Sequence, residues 1–301
     1  MNISFNKEVK EELIQQKVST DEMLAELLAF WSLATKKYED TYVFFTSSLS
    51  IARRFISNLN NTIKPVTKVT KYQSDGKVKV LVELLDSNEL LERCVLKNDF
   101  DHFDFLLNSD DLKRSFLRAV FLTSGSINSP YSLKYHLEIV TKNSSLALFI
   151  QRVINYFDSN CKITVRKKNY VIYLKNSTGI SYFLFLIGAN NCAYKLEDEI
   201  IRRDMIASKI RISNVGVAND MKTINSASKQ IAIIDEIYKS NATHLLSEEL
   251  QNIIKCRKEN NTLNLRELTT QYNLIYGTSI SRTTFNRKLN KALSIKENII
   301  D

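Results

Sequence analysis

The sequence predicts an α+β fold in which an αββαββα unit with antiparallel strands occurs twice and is followed by an all-α domain. Helical and strand-like segments follow the same order in two stretches about 90 residues apart, which indicates an internal duplication. Alternating apolar residues predict a β-hairpin in each copy, and only helical periodicity is found beyond residue 223. We therefore expect units at 1–110 and 111–205, a basic linker at 206–222 and a helical domain at 223–301.

The composition is that of an ordinary globular protein, with 301 residues of which 44% are hydrophobic and 25% charged. No apolar run approaches the roughly 18 residues that a membrane span needs, and no secretory segment is found, so we expect a cytoplasmic protein that binds no membrane. The cysteines lack metal-site spacing and the glycine-rich nucleotide motifs are missing, which predicts no metal, cofactor or small-molecule ligand. The four cysteines are Cys94, Cys161, Cys192 and Cys256.

Positive charge is concentrated in the last two-thirds of the chain. Residues 1–110 contain 14 basic and 17 acidic side chains, residues 111–220 contain 16 and 8, and residues 221–301 contain 12 and 8. The net charge of +9 favours a polyanion as the class of partner. The final helix, described below, makes double-stranded DNA the predicted partner.

The elements of the first copy follow one another closely. They are an apolar helix with Leu27–Thr35, a strand at Tyr42–Thr46, a helix around Ile51–Ile56, a hairpin from Val66 to Leu84 that turns at Asp75-Gly76, and a short helix at Asn88–Cys94. The hairpin is predicted because Val78, Val80 and Val82 alternate with Lys77, Lys79 and Leu81, and because an Asp-Gly pair suits a tight turn.

The second copy repeats this order. Its elements are a helix with Phe116–Ile127, a strand at Leu133–Val140, a helix at Ser145–Phe157, a hairpin at Ile163–Lys175 that turns at Lys167-Lys168-Asn169, and a helix at Ile180–Ile187.

The last part of the chain predicts several short helices. Apolar residues recur at helical spacing from Ile224 to Tyr238, and a further helix begins near Ser247. Asn264 and Glu267 have the spacing of a capping box, and Gly277 predicts a break.

The final helix, after the N-cap residue Ser281, carries the predicted DNA-contacting residues. Phe285, Leu289 and Leu293 form its inner face, and between residues 280 and 291 there are four basic residues and no acidic one. Such a helix suits the major groove, where arginine and asparagine read bases and lysine contacts phosphate. The predicted base-reading residues are Arg282, Thr283, Asn286, Arg287 and Asn290; the predicted phosphate contacts are Lys288, Lys291, Arg166, Lys167, Lys168 and Arg211.

Several segments resemble known proteins. Phe116–Ile127 is similar to a LAGLIDADG motif helix, and Leu27–Thr35 is a second example. Further blocks occur in the order found in the WhiA family of bacterial transcription and sporulation regulators. These blocks are Ile51–Arg54, Arg114–Pro130, Tyr135–Glu138, Tyr170–Lys175, Ile187–Ala189, and Asn214 with Ala218-Asn219 and Lys222-Thr223.

The resemblance implies a degenerate LAGLIDADG-like saddle followed by a C-terminal helix-turn-helix domain. It also implies transcription regulation and, in bacteria that do not sporulate, a role in cell division and chromosome segregation. In DNA-cleaving LAGLIDADG proteins the eighth motif position carries the carboxylate that holds a metal; here these positions are Ala34 and Ser124. We therefore predict a nucleoid-associated, non-enzymatic DNA-binding protein. The usual glycine inside the second motif helix is Ala119, and Thr284, Arg287 and Lys288 differ from the common residues of the recognition helix.

Two other functions compete with this prediction. An active LAGLIDADG endonuclease is one, and the missing carboxylates argue against it. The other is an adaptor that binds RNA polymerase or a second regulator through the acidic residues 1–110, with weak DNA contact. Within the saddle, we expect the second copy to contact phosphates and the first copy to support the fold or bind a protein.

Overall fold

The computed structural model describes residues 4–39, 41–74, 77–85, 100, 103 and 106–295. Contacts divide the chain into two compact units, 1–204 and 205–301. Two predictions for the first copy, the turn at Asp75-Gly76 and the helix at Asn88–Cys94, lie outside the described residues.

The first copy builds one four-stranded antiparallel sheet. Its elements are α1 (Phe5–Ile14), α2 (Thr20–Ala34), β1 (Thr35–Tyr38), β2 (Thr41–Thr46), α3 (Leu49–Thr62), β3 (Thr67–Ser74) and β4 (Lys77–Leu84). The strands are ordered β1-β2-β4-β3. Helix α1 was not predicted. The buried sheet face packs on the helices, and Phe44 stacks on Phe55 of α3 with ring centroids 4.0 Å apart.

The second copy has the same strand order, which confirms the predicted duplication and fold class. Its elements are α4 (Asp110–Ser124), β5 (Gly125–Ile127), β6 (Leu137–Thr141), α5 (Ser144–Tyr156), β7 (Lys162–Arg166), β8 (Asn169–Leu174) and α6 (Ser177–Ile187). The sheet order is β5-β6-β8-β7, again antiparallel. Helices α2 and α4 pack against one another and place both motif segments in a single core.

Two predicted boundaries in the second copy were wrong. The motif helix ends at Ser124 rather than Ile127, because Gly125 turns into an extended strand; a Cβ at this position would lie 2.3 Å from the Phe121 ring. The strand predicted from Leu133 begins at Leu137. Residues 129–132 form a turn closed by a bond from Ser132 N to Ser129 O at 3.0 Å, and Leu133 is 99% exposed.

The second unit is helical. Its elements are the end of α7 (Asn190–Lys239), a 3₁₀ turn (Ala242–Leu245), α8 (Glu248–Glu259), α9 (Leu265–Tyr276) and α10 (Arg282–Leu293). The helix predicted from Ile224 therefore begins much earlier, and residues 206–222 are helical too. A continuous helix is possible here because no proline interrupts 190–239. Within the part of the chain that the structure describes, no helix has the length and apolarity needed to cross a membrane.

Candidate nucleic-acid interface

Helix α10 is anchored by its apolar face and its N-cap. The Ser281 hydroxyl accepts a hydrogen bond from the Thr284 backbone N–H at 3.1 Å. Phe285 and Leu289 are fully buried, and the Phe285 ring packs edge-on against Tyr272 of α9 at 5.3 Å. Both ends of the packing face are thus held, and the remaining side chains of α10 project from a rigid support.

The α9–α10 turn depends on Asn273 and Gly277. Gly277 adopts φ +61°, a left-handed conformation that favours glycine. The Asn273 side chain accepts from the Ile280 N–H at 3.1 Å and donates to the Ile280 carbonyl at 3.0 Å. The sequence predicted the glycine break, but the role of Asn273 was missed; an asparagine four residues before such a glycine was the available signal.

Most of the predicted base-reading residues are exposed together on α10. Arg282, Thr283, Arg287 and Asn290 are all solvent-exposed, as is the predicted phosphate contact Lys291. They present guanidinium, hydroxyl and amide groups and no carboxylate, which suits the edges of bases in a major groove.

The two remaining α10 residues lie elsewhere. Asn286 is half-buried and lines a cleft with residues of α7 and α8. The Lys288 ammonium forms an ion pair with Glu249 of α8. Both were predicted among the DNA-contacting residues of the final helix, whereas tertiary packing turns them toward neighbouring helices.

Arg166, Lys167 and Lys168 lie at the tip of the β7–β8 hairpin. Lys167 and Lys168 form the turn with φ angles of 49° and 65°, and all three side chains are exposed. Arg166 Nη2 lies 3.3 Å from both carboxylate oxygens of Glu138, which also contacts His136 Nε2 at 3.2 Å. Glu138 therefore neutralises part of the positive charge on this outer sheet face.

The outer face of the first sheet is basic and aromatic, in contrast to the net acidity of residues 1–110. Lys36, Lys68 and Lys79 lie on the face opposite the buried one, and Glu83 is paired with Lys68 at 3.7 Å. Lys36 lies over the ring of Phe45 at 6.0 Å. Many acidic residues of the first copy are on the helices instead, namely Glu8, Glu11, Glu12, Asp21, Glu22 and Glu26. Net charge along the sequence therefore did not predict the charge of this face.

Two arginines of α7 form ion pairs with a glutamate of the same helix. The Glu199 carboxylate accepts from Arg202 at 2.7 Å and from Arg203 at 2.8 Å, and the hydrogen bonds from Arg202 are the main cause that lowers the pKa of Glu199 to about 2. Arg211 is exposed, and its Nη2 donates to Ser208 Oγ at 2.8 Å. Of these three arginines, only Arg211 has no carboxylate partner in the described chain.

The motif helices end with small residues. Ser124 Oγ donates back to the Val120 carbonyl at 3.3 Å, and Ala34 is the last residue of α2. Among the residues that the structure describes, no three His, Cys, Asp or Glu side chains are grouped as metal ligands would be.

A buried ionic cluster joins α2, α3 and α4 near the other end of the motif helices. Glu26 is 0% exposed and accepts from Arg54 Nε at 2.7 Å, Arg54 Nη2 at 2.6 Å, Asn58 Nδ2 at 2.8 Å and Arg118 Nη1 at 3.2 Å. Arg118 Nε also donates to the Ile187 carbonyl at 2.8 Å. The sequence resemblance included Arg54 and Arg118, but their common partner Glu26 was missed because the three residues are far apart in sequence.

This architecture defines a protein with a LAGLIDADG-like α+β domain and a C-terminal helix-turn-helix domain. The sequence-family model of the WhiA LAGLIDADG-like domain matches residues 113–206, and that of the WhiA C-terminal HTH domain matches residues 210–296. The chain belongs to the WhiA family.

Relatives and solved structures agree with this assignment. The chain is 31% identical to proteins named "Probable cell division protein WhiA" from Staphylococcus aureus strains JH9 and Newman, over 99% of this chain and 98% of each relative. Full-length WhiA from Thermotoga maritima is 24% identical, with a TM-score of 0.60 and 99% of both chains covered. The N-terminal LAGLIDADG domain of WhiA covers 62% of this chain and 92% of its own, also at 24% identity, with a TM-score of 0.52. These structural matches support the same fold.

Proposed function

We propose that this chain is a non-enzymatic, sequence-selective DNA-binding regulator of transcription and that α10 is its recognition helix. The observation that supports this proposal most directly is the set of exposed side chains on a helix whose opposite face is buried in a core, namely Arg282, Thr283, Arg287 and Asn290. Rigid support matters because base discrimination requires side chains to be held in register with base edges. Lys291 is the neighbouring phosphate contact, whereas Asn286 and Lys288 serve the packing side of the helix.

The test is footprinting of the intact chain on genomic fragments in the presence of Mg²⁺. A discrete protected site without strand cleavage is expected. Arg287→Ala and Asn290→Ala should each weaken specific binding by about 1–3 kcal/mol while leaving non-specific binding nearly unchanged. Lys255→Gln, an exposed charge on α8, is the control and should bind like the wild type. Equal loss in all three variants would contradict base reading by α10.

We propose further that the LAGLIDADG-like domain binds DNA without cleaving it. This proposal rests on the sequence resemblance, which aligns Ala34 and Ser124 with the metal-holding carboxylates of DNA-cleaving proteins, and neither side chain can supply the charge. Strand cleavage in the footprint, lost on Glu138→Gln, would favour the endonuclease instead. We retain the boundaries 1–110, 111–205, 206–222 and 223–301 as a proposal for domain function.

Both sheets of this domain are proposed to contact phosphates. Neutralising Arg166, Lys167 and Lys168 together should weaken binding and flatten its dependence on salt, since each phosphate contact contributes about 0.9 to the slope of log K against log salt. Neutralising Lys36, Lys68 and Lys79 is the matched experiment on the first sheet. If neither triple variant changes the slope, the sheets have no part in DNA binding, and an adaptor role toward RNA polymerase or another regulator gains support.

The cellular role is proposed from the relatives, which are named as cell division proteins. A DNA-binding member of this family would associate with the nucleoid and act in cell division and chromosome segregation. Altered nucleoid spacing and septum placement after deletion, restored by the wild type and not by Arg287→Ala, is the expected result.

A further inference from the structure

Arg257 on α8 is a buried cation. The residue is 3% exposed, its Nη1 donates to the Leu263 carbonyl at 2.7 Å, and its Nε finds no acceptor among the described residues. In the described part of the chain no acidic side chain forms an ion pair with it. Burial lowers the pKa of the Arg257 guanidinium, although arginine keeps its proton at any physiological pH. A buried charge is unfavourable unless it is paired, so a bound anion would stabilise Arg257.

Arg257 lines a cleft of 280 Å³ within the second unit, where an anion could bind. A water molecule occupies roughly 30 Å³ in the liquid, so the cleft admits a hydrated oxyanion. Its polar lining contains a second cation, two hydroxyls and two amides, and no carboxylate. These groups are Lys222, Thr223, Ser226 and Gln230 on α7 and Asn286 on α10.

The arrangement suits a tetrahedral oxyanion. Residues 222, 223, 226 and 230 fall on one side of α7, since residues three and four apart on a helix are neighbours. The planar guanidinium of Arg257 approaches from α8 and offers donors that match phosphate oxygens. Hydroxyl and amide side chains line the same cleft and offer further hydrogen-bond donors to phosphate oxygens.

We propose that this cleft binds a phosphate group between Arg257 and Lys222. The phosphate comes either from the DNA backbone or from a free phosphate compound. The first source rests on the proposed function, and it places a backbone contact beside the recognition helix, because Asn286 is part of α10. Arg257 would then hold a phosphate while the exposed face of α10 reads bases.

The test uses the full chain and three variants. Lys222→Gln removes an exposed cation without touching the core. Arg257→Met removes the buried cation and keeps an apolar stem of similar length, with Arg257→Lys as the rescue variant. Lys255→Gln, exposed on the same helix as Arg257, is the control. Far-UV circular dichroism checks folding; if Arg257→Met misfolds, Lys222→Gln still decides.

Two measurements separate the sources. If the phosphate is part of DNA, Lys222→Gln and Arg257→Met lose roughly tenfold or more in affinity, and the salt slope falls by about 0.9 in each. If it is free, inorganic phosphate raises the Tm of the wild type at matched ionic strength and does not raise that of either variant, while the salt slope is unchanged.

If the wild type footprints DNA and neither of these results is obtained, the phosphate proposal is refuted, while the proposed DNA-binding function stands. A wild type without a footprint refutes the proposed function instead, and the phosphate titration alone then decides the cleft.

Discussion

Glu26→Gln should destabilise the first unit by about 3–5 kcal/mol, the usual cost of removing one partner of a buried ion pair. Glu26 is wholly buried and accepts four hydrogen bonds, three of them from two guanidinium groups. Glutamine keeps the shape but removes the carboxylate with which both arginines form ion pairs. In a unit of this size, each kcal/mol lost from the free energy of unfolding lowers the Tm by about 2–4 °C, so the Tm of this variant should fall by roughly 6–20 °C.

The fluorescence of Trp31 makes this measurement specific. It is the one tryptophan of the chain, is 1% exposed and lies on α2 with Glu26, so its signal reports the unfolding of the first unit. Urea titrations give the free energy of unfolding for each variant.

Glu11→Gln is the control. It removes an exposed pair with Lys7 at 3.6 Å, and the expected change is below about 0.5 kcal/mol. A loss below about 1 kcal/mol for Glu26→Gln would refute the account of the cluster.

Three further predictions concern single positions. Gly125→Ala should cost about 1–3 kcal/mol because the new Cβ would lie 2.3 Å from a phenylalanine ring of α4. In the same Trp31 assay, Gly179→Ala should not destabilise, because its Cβ would have 3.7 Å of clearance and alanine favours the helix in which it lies. Asn273→Ala should lower the stability of the second unit by about 1–3 kcal/mol, read by circular dichroism, since it leaves two backbone groups of the turn unbonded; an unchanged melting curve would contradict this. Burial raises the pKa values of Cys161 and Cys192 to about 12, so both thiols should resist alkylation at pH 8 until the chain unfolds; mass spectrometry of labelled peptides checks this, and rapid native labelling would refute it.

Local features of the chain were predictable because their causes lie within a few residues. The capping box of Asn264 and Glu267 is present with bonds of 3.0 and 3.1 Å, and Gly277 ends α9 as expected. The β7–β8 turn also falls at the predicted residues. In each case sequence neighbours provide the hydrogen bonds or the backbone conformation.

Features formed between distant segments were predicted poorly. Helical spacing predicted the exposed face of α10. The inward positions of Asn286 and Lys288 depend on where α7 and α8 pack, which the sequence of α10 alone does not reveal. The basic outer face of the first sheet was missed because strand register, rather than net charge, decides which lysines share a face.

The sequence by itself predicted the duplicated α+β order and the capped helix α10, because these depend on local pattern and periodicity, and its resemblance to known sequence blocks predicted the family. Only the tertiary structure decided that Glu26 pairs with both Arg54 and Arg118, and that Arg257 is buried apart from any carboxylate of the described residues. Burial and charge pairing are properties of segments brought together, so they become visible only once the chain is folded.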